Sequence, residues 1–399
     1  MRDLSHALRL ARRRPACSTT VILTLALGIG GNVAVFSLVR SVVLSPLPYA
    51  DSEQLFGLME RHESGRLRLP SYPTFEDWSG GADAFESVAF AHGAPLTYQT
   101  ADQAGLFLGA FVTEAFFETL GVTAEVGRVL QRDDYLGGAE GAVVLSHRVW
   151  SNWFGEDRAV LGTAITLNEH PFVVVGVLPP SFGFPDWGAD NDVWMPVSQI
   201  PAAEFSILGQ RGFHADSRTV GRLSQGATLL EAQAQMDGLA RAVAQAHPET
   251  NAGWTGVAIE PLADREVGAV RTRLLILWAA VGFVLLLCCL NLANLYTVHG
   301  RSRSREFAIR SALGSGRARL MRQVLTETIL LGAAGGGLGL LGAHRALAWA
   351  RGGGLANLPR IQELGLDGSA LALTAGLSLG TAVLFTVLAT RANLGSLRS

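Results

Sequence analysis

The sequence predicts a multi-pass α-helical membrane protein with four transmembrane helices and a large α+β domain inserted between helices 1 and 2. Three observations carry that expectation. The 399 residues are 49% hydrophobic and only 17% charged, and the apolar excess gathers in a few long runs. Residues 46–270 alternate strand and helix patterns and form the only stretch able to build a water-soluble core. Arginine crowds the N-terminus and the connector between the second and third runs, and returns after the fourth. The positive-inside rule therefore sets both termini and that connector in the cytoplasm and residues 46–270 outside. The chain divides accordingly into residues 1–45, 46–270 and 271–399.

Residues 1–16 read as an amphipathic helix, with Leu4, Ala7, Leu8 and Ala11 on one face and Arg9, Arg12, Arg13 and Arg14 around it, suited to an anionic lipid surface. Pro15 marks a turn into the first run, residues 19–44, which includes Asn32 and Arg40 and exceeds the roughly 20 residues a bilayer needs. A signal peptide shares its basic start, but the run is too long and no A-x-A site follows, which favours a retained anchor that extends as a stalk.

In the inserted domain, residues 163–167 and 171–177 read as a hairpin around Asn168, Glu169 and His170. Residues 218–223 and 254–259 read as strands flanking a helix over 228–247, which opens on a Thr228/Glu231 capping box and stops at Pro248. Leu229, Ala232, Met236, Leu239, Ala240 and Val243 form its inward stripe, and strand, helix and strand together read as a βαβ unit. Trp78, Trp150, Trp153, Trp187 and Trp194 are assigned to core packing in preference to a substrate surface. His62, His92, His147, His170, His214 and His247 lack ligand spacing, so no metal site is expected. Glu76-Asp77 and Asp133-Asp134 read as solvated turn or helix-start residues, and Ser146-His147 lacks a nucleophile-elbow context. Cys17, Cys288 and Cys289 sit in or beside apolar runs, and the vicinal pair Cys288-Cys289 reads as lipid- or protein-packed thiol in preference to a redox or metal role.

The second run, residues 274–290, ends on Asn291 and Asn294, one turn apart and able to bridge helices or to be solvated at the interface. Arg301, Arg303, Arg305, Arg310, Arg317, Arg319 and Arg322 then fill a connector whose only carboxylate is Glu306. Wound as a helix, it sets Ala308, Ile309, Ala312 and Leu313 on one side, a face that Arg305 interrupts, and the Glu306/Arg310 pair on the other, and Gly314 to Gly316 end it. Too small for an enzyme, residues 301–322 have the size of a docking helix. The third run, 324–343, carries Gly332, Gly335, Gly336, Gly339 and Gly342 in small-xxx-small spacing for close helix packing, with Glu327 near its inner end as a partner for a connector arginine. Residues 351–369 form an outer loop, and 370–390 are an uncharged fourth span.

Every basic residue of the Lys+Arg total is arginine. Without lysine there is no Walker A phosphate loop and no Schiff-base chemistry, so any ATP that drives this protein is bound elsewhere.

The strings NLANL, REFAIRSALGSGRARLMRQVLTET and GAAGGGLGLLGA resemble the FtsX-like permease domain, and SYPTFEDW, VTEAFFETLGV, AVVLSHRVWSNWFG and FVVVGVLPPSFGFP resemble the periplasmic core domain of MacB-like permeases. The resemblance implies a transmembrane subunit of an ABC system in a bacterial inner membrane, with no cofactor of its own and ATP bound by a cytoplasmic ATPase partner. By the same analogy the connector is the coupling helix, with Glu306, Arg310 and Gly314 at matching motif positions. A second permease copy or homologue, membrane lipid and a periplasmic protein are the other implied partners; nucleic acid is not. One departure is that the chain runs only ATRANLGSLRS past the fourth span, where relatives continue into a tail or a second copy of the unit. The competing reading is a membrane-anchored periplasmic sensory or binding protein without ATP coupling; a periplasmic enzyme ranks below it.

Overall fold

The computed structural model describes residues 15–44, 47–100, 104–136, 140–183, 191–214, 217–312, 317–354 and 364–395. It divides into two compact units, one of Met1–Ser45 with Ala269–Ser399 and one of Pro46–Gly268. The first unit opens with α1 (Pro15–Val39), closed by a π-helical turn at Arg40–Leu44.

The second unit is built on an 11-stranded sheet: β1 (Leu55–Arg61), β2 (Leu67–Arg68), β3 (Phe85–Gln99), β4 (Ala104–Val112), β5 (Val126–Gly127), β6 (Ala142–Leu145), β7 (Ala164–Leu167), β8 (His170–Val177), β9 (Val193–Pro196), β10 (Ser217–Leu223) and β11 (Gly256–Pro261). Among these run α2 (Tyr72–Ser79), α3 (Phe116–Leu120), α4 (His147–Phe154), α5 (Ala202–Leu208), α6 (Leu229–Ala246) and α7 (Pro248–Asn251). The strand order is β11-β1-β10-β3-β4-β9-β6-β8-β5, with β2 beside β1 and β7 beside β3 and β8. Both faces of the sheet are covered, so the period of two along each strand sorts residues into two cores. Val143, Leu145, Val193, Met195 and Phe90 point into the core under α2, α4 and α6, while Ala142, Val144, Trp194, Ala89 and Ala91 point into the core that holds α3.

The hairpin at 168–170 forms as the sequence expects, with β7 and β8 antiparallel and Asn168 and Glu169 both at positive φ, 47° and 68°. The helix α6 carries the Thr228/Glu231 capping box. The strands that flank it are not neighbours, because β1 lies between β10 and β11 and pairs antiparallel with both. The unit is thus a split βαβ, which local periodicity cannot reveal since β1 lies far away in sequence. Ala232, Met236, Ala240 and Val243 are buried as expected, but Leu229, at the first turn where the helix overhangs the sheet, is 44% exposed. Asp134 is a second correction: it is buried, accepting from the two terminal guanidinium nitrogens of Arg128 at 2.6 and 2.9 Å and from the Gln131 N–H at 2.8 Å. Trp78 and Trp194 are wholly buried and Trp150 nearly so, whereas Trp187 lies outside the described residues.

In the first unit, α8 (Leu262–Ala312) is one helix of 51 residues, α9 spans Arg317–Trp349 and ends on a π-helical turn at Ala350–Gly354, and α10 spans Gly368–Gly395. The second apolar run and the arginine-rich segment up to Ala312 therefore belong to a single helix, not to a span followed by a separate short one. Nothing in 291–312 breaks it: no proline or glycine cluster intervenes, and the lone Gly300 is tolerated inside a long helix. Among the described residues two helical stretches are long and apolar enough to cross a membrane, Ser18–Leu44 and Val270–Asn291, with a shorter apolar stretch at Gly368–Leu384.

Candidate functional site

The residues that sequence reasoning singled out for helix packing converge on α9, whose glycines divide between two neighbours. On one side Gly335 and Gly339 meet α1. A Cβ added to Gly339 would lie 2.7 Å from the Ala26 carbonyl oxygen and 2.9 Å from the Gly30 nitrogen, and one on Gly30 would lie 2.7 Å from the Gly339 oxygen. The two backbones are in direct contact there. On the other side Gly332 and Gly336 face α10, where a Cβ on Gly332 would lie 3.0 Å from the Ser378 carbonyl and one on Gly336 would collide with the Ser378 hydroxyl. Four residues apart, the members of each pair lie on one helix face, and the two pairs meet different helices. Gly342 meets nothing within 4 Å.

Polar bridges reinforce this packing at positions the sequence reading passed over. Asn32 is buried, and its Nδ2 donates to the Gly28 carbonyl at 2.8 Å within α1 and to the Val281 carbonyl of α8 at 3.1 Å. Thr328 on α9 donates to Leu325 in its own helix and to the Ala382 carbonyl of α10 at 3.3 Å. A hydroxyl or amide that bridges apolar helices contributes about 1 kcal/mol. Arg40 reaches the Asp367 carboxylate and the Ser369 hydroxyl, and Asp367 also caps α10 by accepting from the Ser369 and Ala370 N–H groups, both at 3.0 Å. A polar residue inside an apolar run was the available signal for Asn32; the same signal drew attention to Asn291, whose side chain is exposed. The side chains of Asn294, Glu306, Arg310 and Glu327 lie outside the described residues, as do Gly314 and the N-terminal segment 1–14.

In the sheet unit the polar clusters hold the fold together. Glu60 on β1 is buried; it accepts from Asn251 Nδ2 at 2.8 Å and pairs with Arg68, whose guanidinium lies 3.9 Å from the Trp254 ring centroid. His214 donates from Nδ1 to the Leu69 carbonyl at 2.9 Å, and burial, followed by the nearby Arg68 charge, pushes its pKa below the ordinary 6.5. Ser146 is an N-cap, accepting from the Val149 N–H at 3.1 Å, while His147 turns to Glu125 at 3.0 Å. Serine and histidine are thus committed to separate structural contacts. Among the described residues no three His, Cys, Asp or Glu side chains are grouped to hold a metal ion.

Apolar helices packed through glycine, with an α+β domain inserted after the first of them, define a multi-helix membrane protein with an extramembrane domain. Residues 18–239 match the MacB-like periplasmic core domain, and residues 278–396 match the FtsX-like permease C-terminal domain. The chain belongs to the MacB/FtsX-like ABC permease family.

Among curated relatives, the macrolide export ATP-binding/permease protein MacB of Hahella chejuensis is 25% identical over 231 residues, covering 58% of this chain and 33% of that protein. The protein of the same name from Burkholderia thailandensis is 27% identical over 318 residues, covering 75% of this chain and 47% of the relative. The chain thus spans about a third to a half of the length of these relatives. Among solved structures, the periplasmic region of MacB from Actinobacillus actinomycetemcomitans is 14% identical with a TM-score of 0.40, covering 59% of this chain and 98% of that one.

Proposed function

We propose that this chain is the transmembrane subunit of an ABC transporter in a bacterial inner membrane, with four spans, both termini and the 301–322 connector in the cytoplasm, and the sheet domain in the periplasm. An ATPase on a separate chain binds and hydrolyses ATP, and the connector, through Glu306, Arg310 and Gly314, receives the resulting movement. The periplasmic domain then moves, serving export or the transmission of force to a periplasmic partner, and the permease works as a pair with a second copy or a homologue.

The observation that carries this reading is α8. One uninterrupted helix contains the apolar stretch Val270–Asn291 and the arginine-rich segment as far as Ala312, so a push on the latter is delivered to the former without a hinge between them. Two further features support it. The family match covers both domains, and the absence of lysine leaves no P-loop within these residues.

Purification from native membranes tests the proposal. An ATPase that co-purifies with the chain and whose turnover falls when Arg310 is replaced by Glu is the expected result. A chain that purifies alone, with no nucleotide hydrolysis in any membrane fraction it occupies, contradicts it and favours a sensory role.

A further inference from the structure

The chain leaves the first unit after residue 45 and enters the sheet domain through residues 47–51, which are not a free linker. Leu47 and Tyr49 are buried in the core that holds α3, together with Leu262, the first residue of α8. Immediately after them the backbone turns at Asp51, which adopts a left-handed conformation with φ 47°. Arg222 of β10 closes over this turn. Its Nε donates to the Thr119 carbonyl at 2.8 Å, and its terminal nitrogens donate to the carbonyls of Ala50 at 2.9 Å and Asp51 at 3.5 Å. Gly121, at φ 65°, lets the end of α3 approach so closely that an added Cβ would lie 3.1 Å from Ala50 Cβ.

Arg222 is only 8% exposed, and its hydrogen-bond partners among the described residues are main-chain carbonyls, not carboxylates. A buried guanidinium held by a carboxylate would stay satisfied wherever the incoming segment went. Here the Nε keeps its bond to Thr119, but the terminal nitrogens are satisfied only while Ala50 and Asp51 remain in place, and a buried cation that loses acceptors is strongly disfavoured. The strand that carries it is well placed to pass a load onward: β10 pairs antiparallel with β1 on one side and with the 15-residue β3 on the other. Thr119 adds a second tie to β3 through the Ser87 hydroxyl at 2.9 Å.

We propose that Arg222 is a clamp that makes the incoming segment and strand β10 move as one piece, so that displacement of residues 47–51 is carried into the sheet instead of being absorbed by a loop. The direction of that displacement rests on the transporter reading above; the clamp itself does not. Arg222 acts as a positioning residue.

Hydrogen exchange on the full-length chain in lipid nanodiscs tests this, with no nucleotide or ATPase present. Arg222→Met is expected to raise exchange at least tenfold in residues 47–54 and 116–121 while β6 and β8 keep their protection, and Arg222→Lys, which retains part of the donor set, should fall between. Leu47→Gly, which loosens the incoming segment, is expected to raise exchange in β10 when Arg222 is present but to add nothing there in the Arg222→Met background. Unchanged exchange in 47–54, equal loss of protection across all strands, or additive effects of the two substitutions in β10 would each overturn the clamp. Because no ATPase takes part, these outcomes are independent of whether one partners the chain.

Discussion

In the sheet domain large aromatic side chains are taken wholly out of water: Trp78, Trp194, Phe90, Phe107, Phe111 and Phe116 all lie below 2% exposure. In the helical unit backbone meets backbone where there is no side chain, at Gly30 and Gly339, with Gly335 beside them against α1. Water explains the first, because removing a large apolar side chain from it stabilises by about 1.5–3 kcal/mol. That driving force is missing between helices in lipid, whose tails are as apolar as leucine, so association there depends on backbone contact and interhelical hydrogen bonds. The outward side of α8 agrees, with Ile276, Phe283, Leu286 and Leu290 all more than half exposed. One chain therefore follows two packing rules, and substitutions should sort by which rule they break.

The largest effect is expected at the sheet. Trp194→Ala should cost about 3–5 kcal/mol, read as a lowered midpoint in chemical denaturation of the sheet domain by circular dichroism, with helix packing in the other unit unchanged. Gly339→Leu comes next and reverses the pattern: the new side chain meets backbone, which cannot rotate away, so helix association should weaken by roughly 1–3 kcal/mol in detergent-titrated unfolding. Gly342→Leu, with open space around it, should leave the same measurement nearly unchanged.

A smaller effect concerns pH. Burial alone would raise the Asp134 pKa, but hydrogen bonds from Arg128 and from the Gln131 N–H, together with the Arg128 charge, outweigh it and hold the carboxyl below its ordinary 3.8. A depressed folded pKa means the pair stabilises fully above the unfolded value and loses its contribution as pH falls through the folded one. Asp134→Asn should therefore lower sheet-domain stability at neutral pH and flatten its decline below about pH 4, a modest change because the Arg128 side chain is 40% exposed. Asn32→Leu is expected to be the mildest, about 1 kcal/mol of helix association, since one bridge to Val281 is lost and an apolar side chain suits the surroundings.

How much of this was legible in the sequence follows the range of the signal. The hairpin at 168–170 and the α6 capping box rest on neighbours within three residues, and both can be read directly. Spacing also marked the glycines of α9, though not that Gly335 and Gly339 serve one partner and Gly332 and Gly336 another, because the second helix of each contact lies remote in the chain. The insertion of β1 between β10 and β11 and the bridging by Asn32 are likewise fixed by tertiary neighbours, whereas Asp134 is held by Arg128 and Gln131 within six residues, a local pattern that the adjacent-carboxylate reading missed. Arg222 gave no signal at all: an arginine in a strand reads as surface until the carbonyls around it are known.

The most direct test of the central claim is a photo-crosslinker placed at Arg310 in the full-length chain, activated in native membranes and followed by identification of the adduct. Capture of a cytoplasmic protein that carries a Walker A phosphate loop, strengthened when ATP is trapped unhydrolysed, is the expected result. Labelling of lipid alone, or reaction of the same position with a membrane-impermeant reagent added from the periplasmic side, would contradict it.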